Sequence, residues 1–175
     1  MITILTGPIG GGKTSYLKSA IIRIRDRGLP VEGYLSERIM EGTTVSGYDL
    51  VNLGTGKHHR LLRRSAGSRS AAVGPFDINP KGFAAARAII ERSDPSGLLV
   101  LDELGRLELE GKGVWPAADP VLGDNRRRVL VVIRESLLDE YQIRFRTAAR
   151  PVAVIRLPES KDPEILAGQV AGRRP

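Results

Sequence analysis

Residues 7–14 read Gly7-Pro8-Ile9-Gly10-Gly11-Gly12-Lys13-Thr14 and fill every required position of the pattern G-x-x-x-x-G-K-[ST]. This is the pattern of a phosphate-binding loop, and each part has a physical job. Gly7, Gly10, Gly11 and Gly12 let the loop's backbone N–H groups turn inward around a β-phosphate, with Pro8 and Ile9 in the same nucleotide-binding loop. The Lys13 ammonium reaches β- and γ-oxygens, and the Thr14 hydroxyl is a ligand for Mg²⁺. The helix that opens here aims its positive dipole end at the same anion.

The flanks fit the motif. Ile2-Thr3-Ile4-Leu5 is the β-branched, apolar run expected of a buried parallel strand. After the loop, Leu17, Ala20, Ile21 and Ile24 fall on one helical face. Arg23, Arg25 and Arg27 crowd the helix end, where cations suit the dipole, and Gly28 and Pro30 end it.

Further along, residues 31–36 read as a second strand. Residues 38–64 break into short stretches separated by Glu41-Gly42 and Gly54-Thr55-Gly56, which predicts an antiparallel hairpin or meander. Residues 65–75 are small and polar and predict a mobile loop. Asn79 and Pro80 have the chemistry of an N-cap and first helical residue, opening a helix to about Arg92. Asp94-Pro95-Ser96-Gly97 is a turn. Residues 98–101, 129–133 and 152–155 read as strands, and Asp162-Pro163 starts a last helix carrying Ile165, Leu166 and Val170 inward. Strands alternate with helices, so the fold class is α/β: a parallel sheet flanked by helices, with an antiparallel β insertion at residues 38–64 of a single domain spanning 1–175.

The apolar run Leu98-Leu99-Val100-Leu101 ends in Asp102-Glu103. A hydrophobic strand ending in aspartate is the second phosphate-site motif: the carboxylate at the strand's C-terminal edge holds Mg²⁺ beside Thr14. Glu103 is placed to polarise an attacking water, which favours hydrolysis over transfer to an acceptor. Charge on the γ-phosphoryl oxygens also needs a cation. Arg134 directly follows the strand at 129–133 and is the leading candidate; Arg106, Arg69 and Lys81 are others.

The chain has 175 residues, 41% of them hydrophobic, enough for one domain with a sizeable core. No run approaches the ~20 apolar residues of a membrane span. With no signal peptide in evidence and no cysteine, the expected location is cytoplasmic. The net charge is +7. It suits a polyanionic nucleotide, and clusters at Arg126-Arg127-Arg128 and at Lys57, Arg60, Arg63 and Arg64 raise a nucleic-acid partner as a further candidate. No aromatic residues interleave with these clusters, which weighs against single-strand stacking. The adjacent His58 and His59 point to opposite faces of a strand and make no metal pair. Trp115 reads as a packing anchor.

The chain resembles the THEP-type nucleoside-triphosphatases, also called cancer-related nucleoside-triphosphatases. Three segments carry the likeness: residues 4–14; Gly33-Tyr34-Leu35-Ser36-Glu37 followed by Gly47-Tyr48-Asp49-Leu50-Val51; and Leu101-Asp102-Glu103-Leu104-Gly105-Arg106-Leu107-Glu108-Leu109. The resemblance implies a RecA-like core and slow Mg²⁺-dependent hydrolysis of ATP, GTP and other triphosphates to diphosphates. It also implies nucleotide contacts from residues 7–14 and from Leu99, Val100, Leu101, Asp102, Glu103, Leu104, Gly105 and Arg106. Residues 111–124 are rich in proline and glycine where a plain helix is expected, and the final 20 residues match no part of the family pattern. Two other readings compete with a hydrolase. One is a nucleotide or small-molecule kinase with an acceptor pocket under the insertion. The other is a nucleotide-gated accessory protein, in molybdenum-cofactor maturation or with RNA.

Overall fold

The structure is a computed structural model and describes residues 1–65, 67, 72–158 and 162–171. Of the segment 65–75 read as a mobile loop, Arg69 and four other residues lie outside the described residues, and Ala72–Val73 form a short strand.

Strand β1 (Ile2–Thr6) is buried at all five positions and feeds the phosphate loop, which opens α1 (Lys13–Asp26). There follow β2 (Val31–Glu41), β3 (Thr44–Asn52), β4 (His58–Arg64), β5 (Ala72–Val73), β6 (Phe76–Ile78) and α2 (Pro80–Glu91). The chain continues through β7 (Leu98–Leu104), α3 (Arg106–Leu109), α4 (Trp115–Gly123), β8 (Arg128–Ile133) and α5 (Leu138–Thr147). It ends with β9 (Val152–Arg156) and α6 (Pro163–Ala171). Among the described residues nine strands form one sheet in the order β5-β6-β4-β3-β2-β7-β8-β1-β9. The pairs β2–β7, β7–β8, β8–β1 and β1–β9 are parallel, and β3, β4, β5 and β6 add an antiparallel wing.

The apolar runs of the central strands serve two cores at once. In β7, Leu99 and Leu101 face the layer that also holds Ala86, Trp115 and Tyr141, while Leu98 and Val100 face the layer of Leu17, Ile24 and Leu166. A strand buried on both faces has no polar alternation to display, which is why it reads as an unbroken apolar run. Helix α1 buries Leu17, Ala20, Ile21 and Ile24 as its spacing predicts, and Asn79 caps α2 by accepting from the Lys81 N–H at 3.1 Å. Among the described residues no helix is long and apolar enough to cross a membrane.

Several elements differ from the sequence reading. The strand expected at residues 31–36 runs on to Glu41, because its second half is the first strand of the antiparallel wing. Strand β6 lies just past the expected loop, where Phe76 packs edge-on to Tyr48 at 5.4 Å and under the Arg64 guanidinium. Tertiary pairing therefore brings an aromatic residue beside a basic cluster that shows none along the chain. A helix, α4, forms within residues 111–124 despite Pro120, since burial of Trp115, Ala117, Ala118 and Leu122 outweighs the lost backbone bond. In α6, Leu166, Ala167 and Val170 are buried, but Ile165 is 54% exposed and faces away from the core.

One glycine fixes how closely β2 and β7 approach. Gly33 has φ +99°, and a Cβ there would overlap the Val100 carbonyl oxygen. Gly33→Ala is expected to cost about 2–4 kcal/mol from backbone strain and overpacking, read as a lower urea midpoint with an unchanged slope.

Candidate active site

The C-terminal ends of β1, β7 and β8 open on one edge of the sheet, with β8 between the strands that carry the two motifs. In open α/β sheets this is the edge where ligands bind. Pro8, Ile9, Gly10, Gly11 and Gly12 are exposed at that edge, and Gly7 is buried beneath them. Ile9 is 78% exposed, an apolar side chain held in water by the loop that carries it. The loop closes on itself through Gly11 N–H to Pro8 C=O at 3.1 Å. The Lys13 ammonium donates to the carbonyls of Gly7 at 2.9 Å and Pro8 at 2.8 Å, so it is folded against the loop's own backbone. Burial lowers the Lys13 pKa, opposed by the charges of Glu103 and Asp102. Helix α1 has no acidic residue in its first turn and no side-chain cap, so its own first turn offers no carboxylate to compete for an anion there.

Thr14 and Asp102 come together from opposite parts of the chain. The Thr14 hydroxyl donates to Asp102 Oδ2 at 3.4 Å, and the Ser36 N–H donates to the same oxygen at 3.3 Å. Asp102 is only 3% exposed. Burial, and then the neighbouring Glu103 charge, push its carboxyl up to about 7. A buried carboxylate at a strand end beside a hydroxyl, with no cation bonded to it among the described residues, is a set of hard oxygen donors. Magnesium takes such sets with only one or two protein ligands, completing its octahedron with phosphate oxygens and water. The residues present fit that ion.

Glu103 points to the other partner. Its Oε1 accepts from Arg134 Nε at 2.7 Å and lies 2.6 Å from Arg134 Nη2. Strand β7 makes this possible through a bulge: Asp102 pairs with Val132 and Leu104 with Ile133, leaving Glu103 without a partner across the ladder. A bulge re-aims a side chain at a strand end. Asp102 and Glu103 therefore lie inside β7 rather than after it, and these consecutive residues contact Thr14 and Arg134 respectively.

Other expected site residues are placed differently. Leu99, Val100, Leu101 and Leu104 have no exposure, and the first three divide between the two cores. Their side chains anchor the strand that carries Asp102. Arg106 begins α3 and is exposed. Lys81 is exposed at the start of α2, a helix whose buried residues join the core opposite α1. Of the basic clusters, Arg127 is 5% exposed and donates to the Ser93 carbonyl and hydroxyl, so residues 126–128 do not form a common surface. Arg63 is held by Asp49 at 2.5 Å.

The sequence reading missed the residues that hold the end of β7. The Gly105 N–H donates to Glu108 Oε2 at 2.9 Å, and the Gly105 carbonyl accepts from the Tyr141 hydroxyl at 2.7 Å. Burial raises the Glu108 pKa, offset in part by the N–H donors of Gly105 and Val114. The signal was present as a capping-box spacing, glutamate three residues after the cap, but Gly105 stands where serine or threonine would announce it.

Comparison with known proteins agrees with this architecture. A family model described as NTPase matches residues 2–165. The bovine "Cancer-related nucleoside-triphosphatase homolog" is 31% identical over 128 residues, 67% of each chain. "Nucleoside-triphosphatase THEP1" of Pyrococcus abyssi is 28% identical over 140 residues, covering 79% of this chain and 76% of that one. The crystal structure of THEP1 from Aquifex aeolicus superposes with a TM-score of 0.77 at 23% identity, covering 97% of this chain and 99% of that one, a likeness of fold. With both phosphate motifs and the strands that carry them inside the matched span, the chain belongs to the NTPase family.

Proposed function

We propose that the protein is a Mg²⁺-dependent nucleoside triphosphatase that converts ATP, GTP and related triphosphates to diphosphate and phosphate. The observation that carries this reading is the meeting, at one sheet edge, of the Thr14–Asp102 contact at 3.4 Å and the Glu103–Arg134 pair at 2.7 Å. The exposed backbone of the phosphate loop binds the β-phosphate, and Lys13 leaves the loop carbonyls for the β- and γ-oxygens. Thr14 and Asp102 would hold Mg²⁺, which would supply charge neutralisation to the bound phosphates. Glu103 orients the attacking water by accepting its hydrogen bond. Arg134 stabilises charge developing on the γ-phosphoryl oxygens.

The Arg134–Glu103 pair gives this site an order of events. The guanidinium holds Oε1 of the carboxylate that orients water. A γ-phosphate competes for Arg134 and releases Glu103, so the water-orienting group becomes available when there is a bond to cleave.

Release of free phosphate from ATP and GTP with Mg²⁺ and no acceptor tests the reading. Steady release that disappears in Lys13→Ala is the expected result. Phosphate transfer seen only when a second nucleotide or small acceptor is added would establish the kinase alternative instead.

A further inference from the structure

We infer that Glu108 and Tyr141 are positioning residues that fix Glu103 through the backbone of Gly105. The inference rests on the reading of Glu103 as the residue that orients water. Both converge on the backbone of Gly105, two residues past the bulged Glu103: Glu108 on its N–H and Tyr141 on its carbonyl.

The geometry is a clamp with two jaws. On one side the Glu108 carboxylate, 5% exposed, spends its two oxygens on two backbone donors: Oε2 on Gly105 N–H at 2.9 Å and Oε1 on Val114 N–H at 3.1 Å. It thereby joins the exit of β7 to the entry of α4. On the other side Tyr141 of α5, with no exposure, donates its hydroxyl to the Gly105 carbonyl at 2.7 Å. Both polar groups of Gly105 are thus fixed from different elements. The approach is so close at Val114 that a Cβ on Gly113 would overlap Glu108 Oε1.

The clamp is braced from behind. Arg144, nearly one helical turn beyond Tyr141, donates to the carbonyls of Glu108 at 3.2 Å and Leu109 at 3.0 Å, the C-terminal end of α3. Its guanidinium carbon lies 3.6 Å from the centroid of the Trp115 ring. A solvated surface carboxylate would need none of this.

The consequence falls on Glu103 because of the bulge. In a regular strand the ladder fixes each residue. Here Asp102 pairs with Val132 and Leu104 with Ile133, and Glu103 is left unpaired between them. Upstream, Asp102 is held by Ser36 and Thr14; downstream, Leu104 is core and Gly105 is clamped. Loosening Gly105 gives the bulge a second arrangement. A displacement of about 1 Å at a water-orienting carboxylate lowers turnover up to about 10²-fold without touching substrate contacts.

The test is a kcat and KM comparison of Glu108→Gln and Tyr141→Phe, alone and with Glu103→Gln, on protein verified as folded by its melting transition. Each single variant is expected to lower kcat about tenfold with KM for ATP within twofold. In the Glu103→Gln background neither should lower kcat further, since the group they position is already gone. A general packing defect would act equally in both backgrounds. Tyr141→Phe removes one hydroxyl and keeps the ring, so it remains informative if Glu108→Gln folds poorly. Unchanged kcat in both single variants, or equal losses in both backgrounds, would overturn the inference. Glu103→Gln with wild-type kcat would instead remove the reading on which it rests.

Discussion

Replacing Glu103 with glutamine is expected to lower kcat for phosphate release about 10²–10³-fold while nucleotide affinity changes less than about threefold. The amide keeps the size of the side chain and one accepting oxygen but loses the charge that polarises water. It also loses the ion pair to Arg134, whose two contacts at 2.7 and 2.6 Å make it the closest partner of the carboxylate. The freed guanidinium is then available to phosphate from the outset, so affinity holds or tightens as turnover falls. Arg134→Ala should behave in the opposite sense: Glu103 is free, but γ-phosphate charge is unopposed, and both kcat and triphosphate affinity fall. Equilibrium binding of a non-hydrolysable triphosphate beside steady-state phosphate release separates the two patterns. If Glu103→Gln turns over at the wild-type rate, another group orients the water.

The second large effect is at Asp102, where function and stability pull apart. Its carboxyl is buried, and its pKa is pushed up to about 7 first by that burial and then by Glu103. The sign follows from which state binds the proton. Below the ordinary carboxyl pKa of 3.8 both folded and unfolded chains are protonated and pH has no leverage. Between 3.8 and about 7 the folded chain holds a proton that the unfolded chain has released, so stability falls as pH rises through that window. Above it the whole net cost of the buried carboxylate is present, only partly offset by the Ser36 and Thr14 hydrogen bonds, on the order of several kcal/mol.

Asp102→Asn removes that cost. Without Mg²⁺ the variant is expected to melt above the wild type at pH 8 and close to it at pH 4. Mg²⁺ should raise the wild-type melting temperature at pH 8, where the carboxylate is charged, and leave the variant unmoved. Hydrolysis by the variant should fall at least about 10²-fold. Calorimetric melts at the two pH values, with and without Mg²⁺, check the stability part. An equal Mg²⁺ shift in both proteins would show that the ion binds elsewhere. The pattern is the general one in which a site keeps a group that its fold would discard.

Much of the site was legible because the phosphate motif is local. Eight consecutive residues contain the turn, the cation and the hydroxyl, and the apolar runs on either side place them between strand and helix. The place of Arg134 at the site's sheet edge was legible in a weaker way, from the rule that residues just past a parallel strand lie at the edge where ligands bind. What stayed hidden needed partners from distant segments. Ser36 reaches Asp102 across 66 positions and Tyr141 reaches Gly105 across 36. Glu108 was hidden for another reason: its cap residue is a glycine, and the usual hydroxyl signature is absent.

The sequence by itself determined that a triphosphate-type loop sits between a buried strand and an amphipathic helix, that the sheet is largely parallel, and that residues 38–64 depart from that pattern. These follow from short-range steric and hydrophobic periodicity, which each segment carries alone. Only the tertiary structure decided that β2 runs on from the parallel core into the antiparallel wing, that a bulge turns Glu103 toward Arg134, and that Asp102 is buried deeply enough to shift its carboxyl. Strand order, ladder register and burial are properties of pairs of distant segments. Their free energy appears only when both partners are packed, so no single stretch of the chain can display it.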